Sequence, residues 1–427
     1  MDIFNPMLFT SLKKYSKAQF VKDVIAGIIV AIIALPLSIA LAIASGLGEM
    51  APQMGLCTAI VAGFLISFFG GSTVQIAGPT AAFATIVAGI VAANGVGGLA
   101  VATVMAGVIL IIMGLCRLGA LIKYIPHTIT VGFTSGIAVT ILLGQLKDFF
   151  GVEYPKEGFT APIETIEKVE ALIEHFGTTK VWSIVVGVIC LLVLFLFPKI
   201  TDKIPSSLIA VFVGVGAHFI LGDELITIGD LYSISGGLPQ FTMPDFSLGN
   251  IKALLPDAFT IAILAAIESL LACVVADGMV NSKHRSNTEL IAQGIGNIGS
   301  AFFGGIPATG AIARTAANIK NGGRTPVAGM VHAATLLVVM LFLIPYAGMI
   351  PMATIAAILI QVAYNMSHIK PFINICKKDH WTDIVVLVLT FVLTVVKDLV
   401  VAIVAGLIVY VIFKLLFKNR KETKKEQ

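Results

Sequence analysis

Long apolar runs, cut at short intervals by glycine, proline and small charge clusters, occupy most of the chain. They fall near 24 to 45, 53 to 70, 78 to 93, 97 to 116, 125 to 146, 181 to 198, 205 to 222, 258 to 276, 288 to 304, 308 to 320, 325 to 345, 350 to 366, 382 to 397 and 399 to 417. Most approach the roughly 20 residues that a helix needs to cross a bilayer, and none shows the ten-residue alternation of a barrel strand. The pattern predicts an all-α polytopic membrane protein with fourteen transmembrane segments. Spans 3 and 10, beginning near Gly78 and Ala308, are short and interrupted by glycine or proline at their starts. They read as broken half-helices. Between spans 5 and 6, apolar residues at Ile163, Ile166, Val169, Leu172, Ile173 and Phe176 alternate with glutamates at near-helical spacing, which predicts a surface helix.

Composition agrees with this pattern. The chain is 57 % hydrophobic and 12 % charged with a mean hydropathy of +0.99, against about 25 % charged residues in soluble domains. An even span count puts both termini on one side, and 21 of the 28 Lys and Arg then share that side, 6 lie opposite and Arg314 stays in the membrane. The asymmetry predicts that both termini are cytoplasmic, and the expected location is the plasma (inner) membrane. Lys13, Lys14, Lys17 and Lys22 precede the first apolar run without a small-residue cleavage site, as in a cytoplasmic start rather than a signal peptide. The five cysteines form no metal-ligand spacing, and no cofactor, metal or nucleic-acid partner is implied. Gly294-x-Gly296-x-x-Gly299 has the dinucleotide spacing but follows no strand; close packing of membrane helices explains it better.

An internal repeat points to a site. Phe68-Phe69-Gly70-Gly71 recurs as Phe302-Phe303-Gly304-Gly305, offset by 234 residues, and each leads through a short extended stretch to a proline-marked helix start. Both copies precede the third span of a seven-span half, as expected of a seven-plus-seven inverted repeat whose broken helices meet at the bilayer midplane. Gly78-Pro79-Thr80 and Pro307-Ala308-Thr309 are then expected to begin half-helices that face each other. Free amides and the helix dipoles there would cradle an anion, with the Thr80 and Thr309 hydroxyls beside them. Arg314, within two turns, adds a full positive charge whose isolation near the bilayer centre costs about 2.5 to 3.5 kcal/mol. Glu268 is the other intramembrane charge. It reads either as a structural partner of Arg314 or as the group that takes up a proton or helps bind a cation when the anion loads. Asp277 reads as a cap or gate residue near the end of span 8.

These stretches resemble the SulP (sulfate permease) anion transporters, solute-carrier family 26. The likeness rests on DVIAGIIVAIIALPLSIALAIASG in span 1, GGSTVQIAGPTAA in span 3, YIPHTITVGFTSGIAVTI in span 5, AAIESLLACVVADGM in span 8 and GGIPATGAIARTAANI in span 10. The resemblance implies core and gate domains and a secondary active transporter of a sulfate-type oxyanion, bicarbonate or a C4-dicarboxylate. It implies an elevator-like movement of core against gate, and the functional reading of Glu268 adds coupling to a proton or a cation such as sodium. Carried over by position, Thr80, Ala81, Ala311, Ala313 and Arg314 contact the anion and Glu268 is the coupling position. Leu37 stands where many members have Gln, and Ala272 where sodium-coupled relatives have Thr, which weakens a sodium reading.

The expected organisation is a cytoplasmic segment 1–22, a first repeat 23–222, an extracellular linker 223–257, a second repeat 258–417 and a basic tail 418–427. The STAS domain usual in the family is not expected within this sequence, in which about ten residues follow the last span, whether the chain is naturally short or truncated. Expected partners are the bilayer, a small anion and a second copy in a homodimer. An anion channel, or a nucleobase-type carrier on the same fold, are the alternatives; no arrangement of nucleophile and base suggests an enzyme.

Overall fold

In the computed structural model, residues 4–13, 15–120, 126–155, 162, 164–201, 204–234, 237–378, 380–397 and 399–422 are described. The first half comprises α1 (Lys17–Ala44), α2 (Ala51–Phe69), the two-residue strand β1 (Ala77–Gly78), α3 (Ala84–Leu115), α4 (His127–Phe150), α5 (Thr165–Glu174), α6 (Val181–Ile200) and α7 (Ser206–Leu221). The second comprises α8 (Leu248–Val280), α9 (Ser286–Phe302), β2 (Thr309–Gly310), α10 (Ile312–Lys320), α11 (Val327–Phe342), α12 (Met352–Met366), α13 (Ile369–Lys378), α14 (Trp381–Val396) and α15 (Leu399–Glu422).

Among the described residues eight helices are long and apolar enough to cross a membrane, with shorter apolar helices at Val327–Phe342, Trp381–Val396 and Val401–Leu416. Expected spans 3 and 4 form one run, α3, broken at Gly95, whose φ of 67° and ψ of 179° leave the helical region. Only glycine adopts that conformation without strain, so the break falls where the sequence has one. α8 begins at Leu248, ten residues before the 258 expected, and carries Pro256 inside its early turns. The surface helix α5 starts at a capping box in which Glu164 and Glu167 exchange hydrogen bonds with each other's backbone. Ile163 and the tail beyond 422 lie outside the described residues.

The helices sort into two packed groups, each fed by both halves of the chain. α1, α2, α3, α8, α9, α10 and α11 form one; α4, α6, α7, α12, α14 and α15 form the other. The first group packs through small residues. A Cβ at Gly107 would strike the Gly294 carbonyl, and one at Gly294 would strike the Gly107 carbonyl, so α3 and α9 touch backbone to backbone. The glycines of QGIGNIGS are therefore packing residues, as expected.

Candidate functional site

The two crossover segments meet inside the first group. β1 and β2 pair antiparallel, with Ala77 opposite Gly310 and Gly78 opposite Thr309, and the Ala311 amide extends the ladder to the Ile76 carbonyl at 2.9 Å. Irregular backbone survives at membrane depth only where protein satisfies it. Here Ile76 and Ala77 on one side, and Ile306 and Ala308 on the other, are fully buried. The expectation that the two starts face each other is met in position but not in form. Gly78-Pro79-Thr80 and Pro307-Ala308-Thr309 are not helical: Gly78 pairs with Thr309 across the crossing, and Asn297 takes the Ala308 amide and carbonyl. The helical turns begin later, at Ala81 and Ile312.

Arg314 is 2 % exposed. Its Nη2 donates to the Pro79 carbonyl at 3.2 Å and to Ser38 Oγ at 3.4 Å, while its Nη1 has no partner. A Cβ at position 78 would collide with Nη1, so Gly78 lets the guanidinium lie against the first crossover. Glu268 forms no ion pair with Arg314 and instead accepts from Thr80 Oγ1 at 3.0 Å. The structural-bridge reading of Glu268 therefore fails: its carboxylate binds Thr80, and the guanidinium binds Pro79 and Ser38.

The remaining expected residues divide by exposure. Thr80, Ala311 and Glu268 are half-buried, Ala313 is exposed and Ala81 is buried. Thr309 is fully buried, with its hydroxyl bonded to Ser269 Oγ at 2.5 Å and to the Ala265 carbonyl at 3.2 Å. It anchors β2 to α8 and offers no free hydroxyl. Asp277 accepts from the His284 amide at 2.9 Å and pairs with His284 Nδ1 at 2.8 Å, so it caps the end of α8. Helix geometry leaves the first amides of the turns at Ala81 and Ile312 without intrahelical acceptors. The site thus combines two helix starts, one unpartnered guanidinium nitrogen and a threonine held by a carboxylate. That set suits a small anion.

Sequence reasoning missed the residues that hold the crossing together. On α9 a stripe of Glu289, Gln293, Asn297 and Ser300 is buried. Glu289 accepts from the Gly71 amide at 2.8 Å. Asn297 brackets Ala308, donating to its carbonyl at 2.9 Å and accepting from its amide at 2.8 Å. Ser300 donates to the Ile306 carbonyl, and the Ile306 amide donates to Thr58 Oγ1, both at 2.7 Å. The first crossover is held in turn by Thr315, whose Oγ1 accepts from the Ile76 amide, and by Asn318, which donates to the Val74 carbonyl. Gln75 donates to the Ser269 carbonyl at 3.0 Å. Polar residues spaced by four and then three along α9 were the available signal, hidden among the glycines.

Known proteins extend this picture. The sulfate permease family model matches residues 20–382. YvdB of Bacillus subtilis, provisionally named a sulfate transporter, is 43 % identical over 89 % of this chain and 70 % of its own. The bicarbonate transporter BicA of Picosynechococcus is 34 % identical over 81 % of this chain and 61 % of its own length. Among solved structures, the transmembrane domain of a cyanobacterial BicA aligns with a TM-score of 0.79 at 30 % identity, covering 96 % of this chain and all of that one. The murine solute carrier 26 family member A9, at 20 % identity and a TM-score of 0.84, covers 96 % of this chain and 71 % of its own and shares the fold. These relatives are named as transporters, not enzymes. The chain is an integral membrane protein and belongs to the sulfate permease family of anion transporters.

Proposed function

We propose that the protein is a secondary active transporter that carries a sulfate-type oxyanion, bicarbonate or a C4-dicarboxylate through the inner membrane, with both termini cytoplasmic. The observation that carries this reading is Arg314 Nη1, a buried cationic donor without a protein partner, set against the junction of two helix starts. A buried charge left unpaired is costly, and a bound anion would supply the missing partner. The anion would lie between the turns at Ala81 and Ile312, beside Thr80, Ala311 and Ala313.

Glu268 is the proposed coupling group. A proton on its carboxyl, or a cation beside it, would change how Thr80 is oriented toward the anion through their shared hydrogen bond. The two helix groups are the proposed moving and fixed parts of an elevator, with residues 23–222 and 258–417 as the repeats. The chain is proposed to assemble as a homodimer.

The test is uptake of labelled sulfate, bicarbonate and succinate into proteoliposomes under imposed proton and sodium gradients. Concentrative uptake of one of them is expected, and passive equilibration alone would indicate a channel. Arg314→Ala is expected to abolish or reshape uptake in protein that still inserts and folds. Unchanged uptake by this variant would overturn the site.

A further inference from the structure

Residues 3–22 contain four lysines and no acid, and residues 310–326 likewise contain only basic charges. The fold brings these distant segments to one corner. Asp23, fully buried at the start of α1, ties them: it accepts from Tyr15 Oη, Gln19 Nε2, the Arg324 amide and Thr325 Oγ1 at 2.6 to 2.9 Å, and from the Thr325 amide at 3.4 Å. Gln19 Nε2 also donates to the Gly322 carbonyl at 3.0 Å, and Gly322 lies against the stem of Lys22. Asp23 directly follows the first segment, neither segment contains an acid of its own, and both Asp23 oxygens are engaged inside. Outside stand Lys17, Lys22 and Lys320, all exposed, next to exposed Phe20 and Val21 at the point where α1 turns apolar; exposed Arg324 lies beside them with Nη1 bonded to the Ile319 and Gly323 carbonyls at 2.8 and 2.7 Å.

A cluster of cations bordering lipid-facing apolar side chains matches a phospholipid: acidic headgroup on the lysines, acyl chains along the helix. We propose that this corner, formed by the start of α1 and the end of α10, binds an acidic phospholipid headgroup. Two features favour lipid over a free anion. The apolar rim is continuous with the hydrophobic face of α1, where Ile25 and Ile28 are also exposed. The cations are also spread over the surface rather than enclosed in a pocket. Lys320 lies six residues after Arg314 on α10, about 9 Å along the helix axis. An occupied corner therefore fixes the helix that carries the guanidinium to the membrane surface.

The experiment is native mass spectrometry of the full chain after exchange into detergent containing phosphatidylglycerol or phosphatidylcholine. A retained phosphatidylglycerol is expected, absent with phosphatidylcholine. Lys17→Gln, Lys22→Gln and Lys320→Gln remove exposed groups that make no internal hydrogen bond. They are expected to weaken retention by roughly fivefold each and about a hundredfold together, while the three lysine-to-arginine changes preserve it. Unchanged retention in the triple Gln variant would overturn the proposal. Displacement of the lipid by inorganic phosphate would overturn it too, by marking a free-anion site. Neither outcome depends on transport, so the result stands apart from the function proposed for Arg314.

Discussion

The first crossover, residues 72–80, has its backbone held by α10, where Thr315 takes the Ile76 amide and Asn318 the Val74 carbonyl, while α8 holds its Gln75 and Thr80 side chains. The second, residues 306–311, is held by α9, where Ser300 and Asn297 bind Ile306 and Ala308, and by α8, where Ser269 takes the Thr309 hydroxyl and the Gly310 amide. The backbone solution is the same on both sides, a two-residue strand leading into a helix start. The side chains at the junction differ. The first crossover presents Thr80, held by a carboxylate; the second presents a guanidinium with a free nitrogen. A near-symmetric scaffold therefore carries an asymmetric charge, which is what the proposed site would use to prefer an anion.

The comparison is broken most severely by removing a support. Asn297→Leu leaves the Ala308 amide and carbonyl buried without partners, at about 1 to 3 kcal/mol each. A marked fall in the thermal unfolding midpoint of the detergent-solubilised protein is the expected result. Glu268→Gln keeps an acceptor for Thr80 but removes the titratable group. Uptake down a substrate gradient is then expected to persist while accumulation driven by an imposed proton or sodium gradient is lost; full gradient-driven accumulation would remove Glu268 from the coupling role. The smallest effect is expected from Ser38→Ala, which deletes a long 3.4 Å contact to Arg314. About 0.5 kcal/mol is expected, seen as a two- to threefold change in apparent substrate affinity with folding stability unaltered.

Much of this was legible in the chain. Apolar runs marked the helices because the bilayer imposes length and hydropathy, and the duplicated FFGG marked the corners because tight turns demand small residues. Arg314 and Glu268 stood out as isolated charges. What could not be read was which groups they would meet: their opposite charges suggested mutual pairing, yet one turned to Thr80 and the other to Pro79 and Ser38. Proline also misplaced the helix starts, since its preference for a first helical turn serves equally well in an extended residue. The α9 stripe escaped notice because buried Asn, Gln and Ser resemble ordinary packing residues until the backbone they serve is known.

The paired strands also bear on biosynthesis. Ala77 and its partner Gly310 are separated by 310 − 77 = 233 residues. At about 5 to 20 residues per second, the first strand waits roughly ten to fifty seconds for the second. During that interval the polar backbone of β1 needs temporary partners, so the inserting chain must either keep this segment wet or shelter it beside the translocation machinery until its partner is made.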